Sequence, residues 1–147
     1  MIRAMPKLSV LLLLLVLGNS VCMATAQKNR ALVRMLQEQG FTGALRGDIH
    51  FTTLGTLRCA KSNFRVVYFE WYGPAHPGSH RAQYRLLFLE GGDRYVGSYV
   101  IRDKPVLNRS DSVLFGYDNA SGNVIKCSEI GSGKSVQLDG DWVLFEK

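Results

Sequence analysis

Two histidines in the segment 73–80 come closest to metal-site spacing. His76 and His80 stand four positions apart in the sequence GPAHPGSH. This spacing brings two imidazoles together on an α-helix, where residues four apart share a face. Pro77 and Gly78 disfavour a helix here, so the segment is predicted to be a turn-rich loop. His76 and His80 are therefore only weak metal-ligand candidates, and no cofactor is expected.

Other motifs for catalysis are incomplete. Residues 131–135 read GSGKS, but Ser128 stands where a phosphate-binding loop needs glycine. A strand is predicted after this segment, where that motif needs a helix N-terminus. The Gly-x-Ser-x-Gly elbow of serine hydrolases is absent from the sequence, and Glu70 and Glu90 fall on predicted strands without sign of a shared cleft. The sequence therefore favours a protein without catalytic activity.

The cysteines predict one disulfide bond. Cys22 lies in an N-terminal targeting segment, which leaves Cys59 and Cys127 to pair in an oxidising compartment. They close a loop of about 70 residues, which is worth roughly 4 kcal/mol in the chain-entropy treatment. The sequence has no C-x-x-C motif, so a thiol oxidoreductase is not expected.

Residues 1–26 have the features of a secretory signal peptide. Arg3 and Lys7 precede a ten-residue apolar run at 8–17, and Ala24-Thr25-Ala26 matches the A-x-A cleavage pattern. The apolar run is too short to span a bilayer as a helix. The sequence therefore predicts a mature domain of residues 27–147, secreted or periplasmic, with no transmembrane segment after cleavage.

Length and composition fit one globular domain. The chain has 147 residues, 46% of them hydrophobic and 20% charged, which excludes collagenous and disordered classes. The net charge of +6 falls to about +4 without the signal peptide, since 16 basic and 12 acidic residues remain. No run of Lys and Arg occurs, so no nucleic-acid partner is expected.

The apolar pattern changes from helical to strand spacing at Gly40. An apolar stripe predicts a helix over residues 28–39, and the later segments alternate with a period of two and have turn-like links. The sequence therefore predicts a mainly β protein, an antiparallel meander that closes into a sandwich or a small barrel, with one N-terminal helix. Strands are expected at residues 64–72, 83–90, 95–101, 112–117, 123–130, 135–138 and 142–146, with weaker candidates at 44–51 and 56–60.

A register can be predicted for the central hairpin. If residues 73–80 form its loop, paired residues have numbers that sum to about 153. The core face then carries Val67, Phe69, Trp71, Ala82, Tyr84, Leu86 and Phe88, joined by Tyr95, Gly97, Tyr99 and Ile101. The opposite face mixes aromatic and charged residues, and its candidate binding residues are Tyr68, Glu70, Tyr72, Arg81, Gln83 and Arg85.

Three functional hypotheses follow from these patterns. Tyr and Arg are common anchors at interfaces, so the mixed face is expected to contact a protein or a glycan-bearing surface polymer, although a plain solvated face has the same composition. The second hypothesis is a calycin-like barrel that carries a small apolar ligand. The third is a hydrolase or metal-binding enzyme that uses the loop histidines. The sequence does not predict an oligomeric state.

Overall fold

The computed structural model describes residues 27–76, 79–102, 104–109, 112–114, 124–138 and 140–147. The predicted signal peptide and the predicted turn at 119–122 lie outside these ranges. A helix, α1, covers residues 27–38, and no helix within the described ranges is long and apolar enough to cross a bilayer. The strands are β1 (Asp48–Arg58), β2 (Asn63–His76), β3 (Ser79–Glu90), β4 (Arg94–Ile101), β5 (Val106–Arg109), β6 (Ser112–Leu114), β7 (Val124–Lys126), β8 (Ser135–Leu138) and β9 (Asp141–Glu146).

The strands form two antiparallel sheets. The larger has six strands in the order β1-β2-β3-β4-β9-β8, and the smaller has three in the order β5-β6-β7. The mainly β fold class is therefore confirmed. Within the described residues β1 and β8 are the two edges of the larger sheet, so the arrangement is sandwich-like and not a closed barrel.

Several strand predictions need correction. The strand predicted at 123–130 covers only Val124–Lys126, because residues 127–130 form a turn. The weak candidates at 44–51 and 56–60 are one strand, β1, because an irregularity between Thr53 and Gly55 lets pairing with β2 continue. The predicted loop at 73–80 is mostly strand, since β2 and β3 stay paired as far as His76 and Ser79. The strand β5 was not predicted, because it is short and follows Pro105 directly.

The inner face of the six-stranded sheet, which we define as the side packed on the three-stranded sheet, holds the main core. Phe88 and Tyr99 are fully buried at its centre, and the Tyr99 and Phe145 rings lie 5.0 Å apart. Val113 of β6 and Ile125 of β7 join this core from the smaller sheet. Each such buried side chain contributes roughly 1.5–3 kcal/mol to folding.

The outer face, on the opposite side of the same sheet, is also covered over part of its area. Within the compact unit of residues 35–147, the Phe41 ring packs edge-on against Phe69 and Tyr95, at centroid distances of 5.4 and 5.6 Å. The Gln39 side chain accepts a hydrogen bond from the Tyr95 backbone N–H at 2.6 Å. The central strands are thus buried on both faces, which explains their nearly continuous apolar sequences.

A bulge in β4 corrects the predicted position of Tyr95. Phe88 pairs with Gly97 but the next residue, Leu89, pairs with Tyr95, so Val96 is the extra residue of the bulge. The bulge places Tyr95 on the outer face, although the sequence pattern predicted the same face as Tyr99. Both tyrosines are buried, but in different layers.

The predicted disulfide bond between Cys59 and Cys127 is confirmed, with a Cα–Cα distance of 5.7 Å. Cys59 follows β1 and packs against the inner core, and Cys127 follows β7 of the smaller sheet. The bond therefore ties the two sheets together across 68 positions of sequence. Such a bond is compatible with an oxidising compartment.

We expect the double variant Cys59→Ala/Cys127→Ala to lose about 4 kcal/mol of unfolding free energy, because its unfolded chain is no longer constrained by a long loop. Urea unfolding of the oxidised protein, the reduced protein and the variant measures this difference. The reduced protein is the control for the lost sulfur atoms. Equal unfolding midpoints for all three would contradict a stabilising role.

We also expect stability to fall at alkaline pH through Tyr99. Burial raises the pKa of its phenol above the usual value near 10, as does the nearby Glu129 charge. The stabilising contribution is therefore fully present below pH 10 and is lost as pH rises through and beyond it, because the unfolded chain ionises first. Tyr99→Phe should flatten this fall by about 1.4 kcal/mol per pH unit. Denaturant unfolding between pH 8 and 11 tests this, and parallel curves for the two proteins would refute it.

Candidate binding site

The predicted register of the central hairpin is wrong by one residue. Tyr68 pairs with Leu86 and Tyr72 pairs with Ala82, so paired numbers sum to 154. Two features cause the difference. The turn lies later than predicted, since His76 pairs with Ser79 and their numbers sum to 155, and the irregularity between Pro74 and His76 then changes the sum to 154. A shift of one residue moves every side chain of one strand to the opposite face relative to its partner strand.

The six candidate binding residues are therefore divided between the two faces. Two groups of three result from the observed register. The inner-face group is Tyr68, Glu70 and Tyr72, and the outer-face group is Arg81, Gln83 and Arg85. The predicted core set is divided in the same way, with Val67, Phe69 and Trp71 on the outer face and Ala82, Tyr84, Leu86 and Phe88 on the inner face.

The inner-face group meets Tyr84 and forms what we call the tyrosine cluster, made of Tyr68, Tyr72 and Tyr84. The rings of Tyr68 and Tyr84 are nearly parallel with centroids 6.1 Å apart. Those of Tyr72 and Tyr84 lie at 80° with centroids 6.2 Å apart. Tyr68 is buried whereas Tyr72 is 38% exposed, so the cluster runs from the core to the surface.

Hydrogen bonds hold the exposed end of this cluster. The Tyr72 hydroxyl donates to Glu70 Oε1 at 3.4 Å. The pKa of Tyr72 is raised to about 12, mainly by the hydrogen bond with Tyr84. Desolvation and the charges of Tyr84 and Glu70 raise it further. The phenol therefore stays protonated at physiological pH.

Strand β1 adds a histidine and an aspartate beside the cluster. Asp48 pairs with Tyr72 and His50 pairs with Glu70 across the two strands. His50 Nε2 lies 3.2 Å from Asp48 Oδ1, and both side chains are exposed. The His50 ring centroid is 6.4 Å from that of Tyr72. In the sequence, Asp48 and His50 could join the loop histidines in a metal site only in principle, and no pattern placed them together.

In the outer-face group, Arg85 is a structural residue. Its side chain is 6% exposed, and Nη1 lies 2.5 Å from Glu146 Oε2 and 3.2 Å from Ser98 Oγ. Its guanidinium also lies over the Phe41 ring at 5.4 Å, and the Tyr95 hydroxyl extends the network to Ser98. This network joins β3 to β9 across β4, so Arg85 is not accessible to a partner.

The most exposed apolar side chains of the described residues also lie on the outer face, beyond Arg85. Trp142 is 72% exposed, Leu144 is 55% exposed and Val100 is 36% exposed. They line a recess of about 440 Å³. Strands β4 and β9 pair only at Ser98 with Glu146 and at Tyr99 with Phe145 among the described residues. The recess opens where this pairing ends.

A second recess, of about 720 Å³, lies beside the first. Both are lined by residues 100–102, and the second continues to Trp71, Arg81 and Gln83. Gln83 Oε1 is buried without a hydrogen-bond partner among the described residues. We call the two recesses together the outer groove. Arg102 Nη2 lies 2.6 Å from Asp141 Oδ2. This ion pair lies where the two recesses meet.

Trp71 is fixed at one end of the outer groove. Its indole N–H donates to the Arg46 carbonyl at 2.5 Å. A Cβ at Gly73 would lie only 2.2 Å from the ring. At Gly47, φ is +122° and a Cβ would lie 2.8 Å from the Tyr72 carbonyl, so glycine is needed at both positions for the indole to pack here.

The exposure of Trp142 and Leu144 was not predicted from the sequence. The strand DWVLFE has apolar residues at consecutive positions, of which Val143 and Phe145 pack into the core. A strand with one solvated face usually alternates apolar and polar residues. The consecutive apolar residues of this strand were therefore the available sign that its second face is also apolar. Without the partner strands, the sequence does not say which face is covered.

The weak metal candidates are placed only by their backbone. His76 pairs with Ser79 and His80 pairs with Pro74 near the end of the hairpin, while their side chains lie outside the described part of the structure. Among described residues, no group of three or more His, Cys, Asp or Glu side chains is arranged to hold a metal ion.

The chain matches no protein-family model, no curated protein and no solved structure.

We expect Glu146→Ala to destabilise the fold by about 3 kcal/mol, because it leaves the Arg85 guanidinium buried without its carboxylate. Chemical unfolding measures the loss. The double variant with Arg85→Met should recover most of it, since no buried charge remains. A loss below about 1 kcal/mol for the single variant would show that Arg85 is solvated in solution.

Proposed function

We propose that this protein is a small exported binding domain without catalytic activity, which contacts a protein partner through the outer groove. The proposal keeps the function predicted from the sequence but moves the contact surface. The carrying observation is the exposure of Trp142 and Leu144 on a paired strand beside a recess. Exposed apolar patches next to a concave surface are typical of interaction sites.

The chemistry of the groove suits an interface. Trp and Arg are enriched among residues that dominate binding energy, and the groove presents Trp142, Arg81 and Arg102. The ion pair between Arg102 and Asp141 has 77% and 53% exposed side chains. It lies between the two recesses, so the groove combines apolar side chains with an exposed charged pair.

An open strand edge favours a polypeptide over a glycan as the partner. Residues 79–83 of β3 pair with β2, but β4 pairs with β3 only from Tyr84 onward. In the described structure these five residues therefore have no strand on their other side, next to the larger recess. Open strand edges bind extended peptides by adding a strand, and neighbouring pockets then take alternate side chains.

Export is part of the proposal. It is supported by the sequence of residues 1–26 and by the Cys59–Cys127 bond, which persists in oxidising compartments. We place the mature protein outside the cytoplasm, secreted or in a periplasm.

The carrier hypothesis has less support. A calycin-like carrier needs a closed barrel with interior space, whereas here the two sheets are separate and aromatic side chains such as Phe88, Tyr99 and Phe145 pack between them. The enzyme hypothesis depends on His76 and His80, whose side chains are not described, and gains no support from the rest of the site.

We expect Trp142→Ser to weaken partner binding by at least about 2 kcal/mol, as central aromatic anchors do. Its effect on folding should stay within about 0.5 kcal/mol because the side chain is mostly exposed. A photo-crosslinking amino acid at Leu144, in the protein expressed in its own host, would trap the partner. Discrete protein adducts that disappear with Trp142→Ser support the proposal.

Tyr72→Ser is the matched control, since Tyr72 is an exposed aromatic residue on the opposite face. Adducts should persist in this variant. Adducts that persist in Trp142→Ser but are lost in Tyr72→Ser would contradict the role of Trp142 as the anchor of the contact. Adducts that are glycans and not proteins would overturn the choice of partner.

A further inference from the structure

We propose that the tyrosine cluster, together with Glu70, is a binding site for a quaternary ammonium group. This site lies on the inner face, and of its four residues only Tyr84 also lines the outer groove. A quaternary ammonium ion is attracted to the faces of aromatic rings within about 6 Å of their centroids. The geometry, the charges and an internal cation of the protein all point to this ligand class.

Two tyrosine rings form the walls of the site. Tyr72 and Tyr84 stand at 80° to each other, 6.2 Å apart, so an ion in the corner between them approaches both rings. Tyr84 is partly exposed and also lines the larger recess, which gives access from solvent. The edge-on contact between the two rings and the hydrogen bond from the Tyr72 hydroxyl to Glu70 hold Tyr72 in place before any ligand arrives, which lowers the entropic cost of binding.

Carboxylates supply the opposite charge. Glu70 Oε1 is 3.4 Å from the Tyr72 hydroxyl, so its charge lies directly beside the aromatic corner. Asp48 is the strand partner of Tyr72, and it contacts His50 at the rim. The inner-face group thus combines aromatic faces with negative charge, the usual composition of sites for organic cations.

The protein already places a cation on this cluster. Lys104 Nζ lies over the Tyr68 ring, 5.4 Å from its centroid, while the Lys104 residue is exposed. Tyr68 stacks on Tyr84, which in turn meets Tyr72. One end of the cluster is therefore occupied by an ammonium group of the chain itself, and the Tyr72 end is open to an external one.

The hydrogen-bonding capacity of the site favours a quaternary over a primary ammonium. A primary ammonium has three N–H donors to satisfy, whereas the ring faces of Tyr72 and Tyr84 that form the walls of the site offer no lone pairs to accept them. A trimethylammonium group has no N–H donor, so aromatic faces and a nearby charge are sufficient. Such a group occurs in free choline-like compounds and in phosphocholine lipid headgroups.

The test compares choline with its neutral isostere 3,3-dimethylbutan-1-ol, in which carbon replaces the charged nitrogen. Ligand-observed NMR with the full-length mature protein measures both affinities. We expect choline to bind about 10-fold more tightly, because only the charged nitrogen gains a cation–π contact with the tyrosine rings. Equal affinities, or no binding of choline, would overturn the proposal.

Three variants and one control assign the site. Tyr72→Leu and Glu70→Gln should each weaken choline binding several-fold, while Tyr95→Phe on the outer face should not change it. Lys104→Met should strengthen binding, because it removes a competing cation from the Tyr68 face. Weaker binding in Lys104→Met, or unchanged binding in Tyr72→Leu, would show that choline binds elsewhere.

Vesicles of phosphatidylcholine distinguish the source of the ammonium group. Binding to choline and to vesicles, both lost in Tyr72→Leu, assigns a lipid headgroup. Binding to choline alone assigns a soluble ligand. These results leave the outer groove untested, because crosslinking at Leu144 does not depend on the tyrosine cluster.

Discussion

The pairing register of β2 with β3 is the constraint on which the rest of the structure depends. These two strands are the longest in the molecule, and each lies between two neighbours in the larger sheet. Their register decides that Tyr68 points to the smaller sheet while Phe69 points to Phe41. Because both faces are covered, a shift by one residue would put Arg85 into the main core.

Burial on two faces also explains the charged network on the outer side. The outer layer comes from a short segment around Phe41, which does not reach across the whole sheet. Arg85 fills the boundary with a long side chain whose charge is met by Glu146 and Ser98. Beyond this boundary Val100 and Leu144 are exposed, and among the described residues the apolar groove is the part of the sheet that the segment leaves open.

The sequence allowed the fold class, the disulfide bond and most strands to be predicted, because alternation and cysteine count are local or countable signals. It did not allow the faces to be assigned. The bulges after Pro74 and at Val96 each move one residue past its partner, and a bulge depends on the partner strand as much as on its own residues. The grouping of Tyr68 with Arg85 was therefore wrong, although each lies on a predicted strand. The surroundings of His50 and Trp142 could not be predicted, because their neighbours in the structure come from strands that are distant in sequence.

A mismatch in strand length places both proposed sites at the same end of the larger sheet. Strand β1 begins opposite Tyr72, and β4 ends opposite Tyr84, so the central hairpin extends beyond both neighbours. On the inner face Tyr72 is the last residue of β2 that pairs with β1, and its side chain is 38% exposed. At its side, residues 79–83 keep an unpaired edge in the described structure. The centre of the core lies near Phe88 and Tyr99, so the overhang lies away from it. Neighbouring strands pair with the central hairpin where the core is packed, and in the described structure they leave its far end without pairing on the outer edges of β2 and β3.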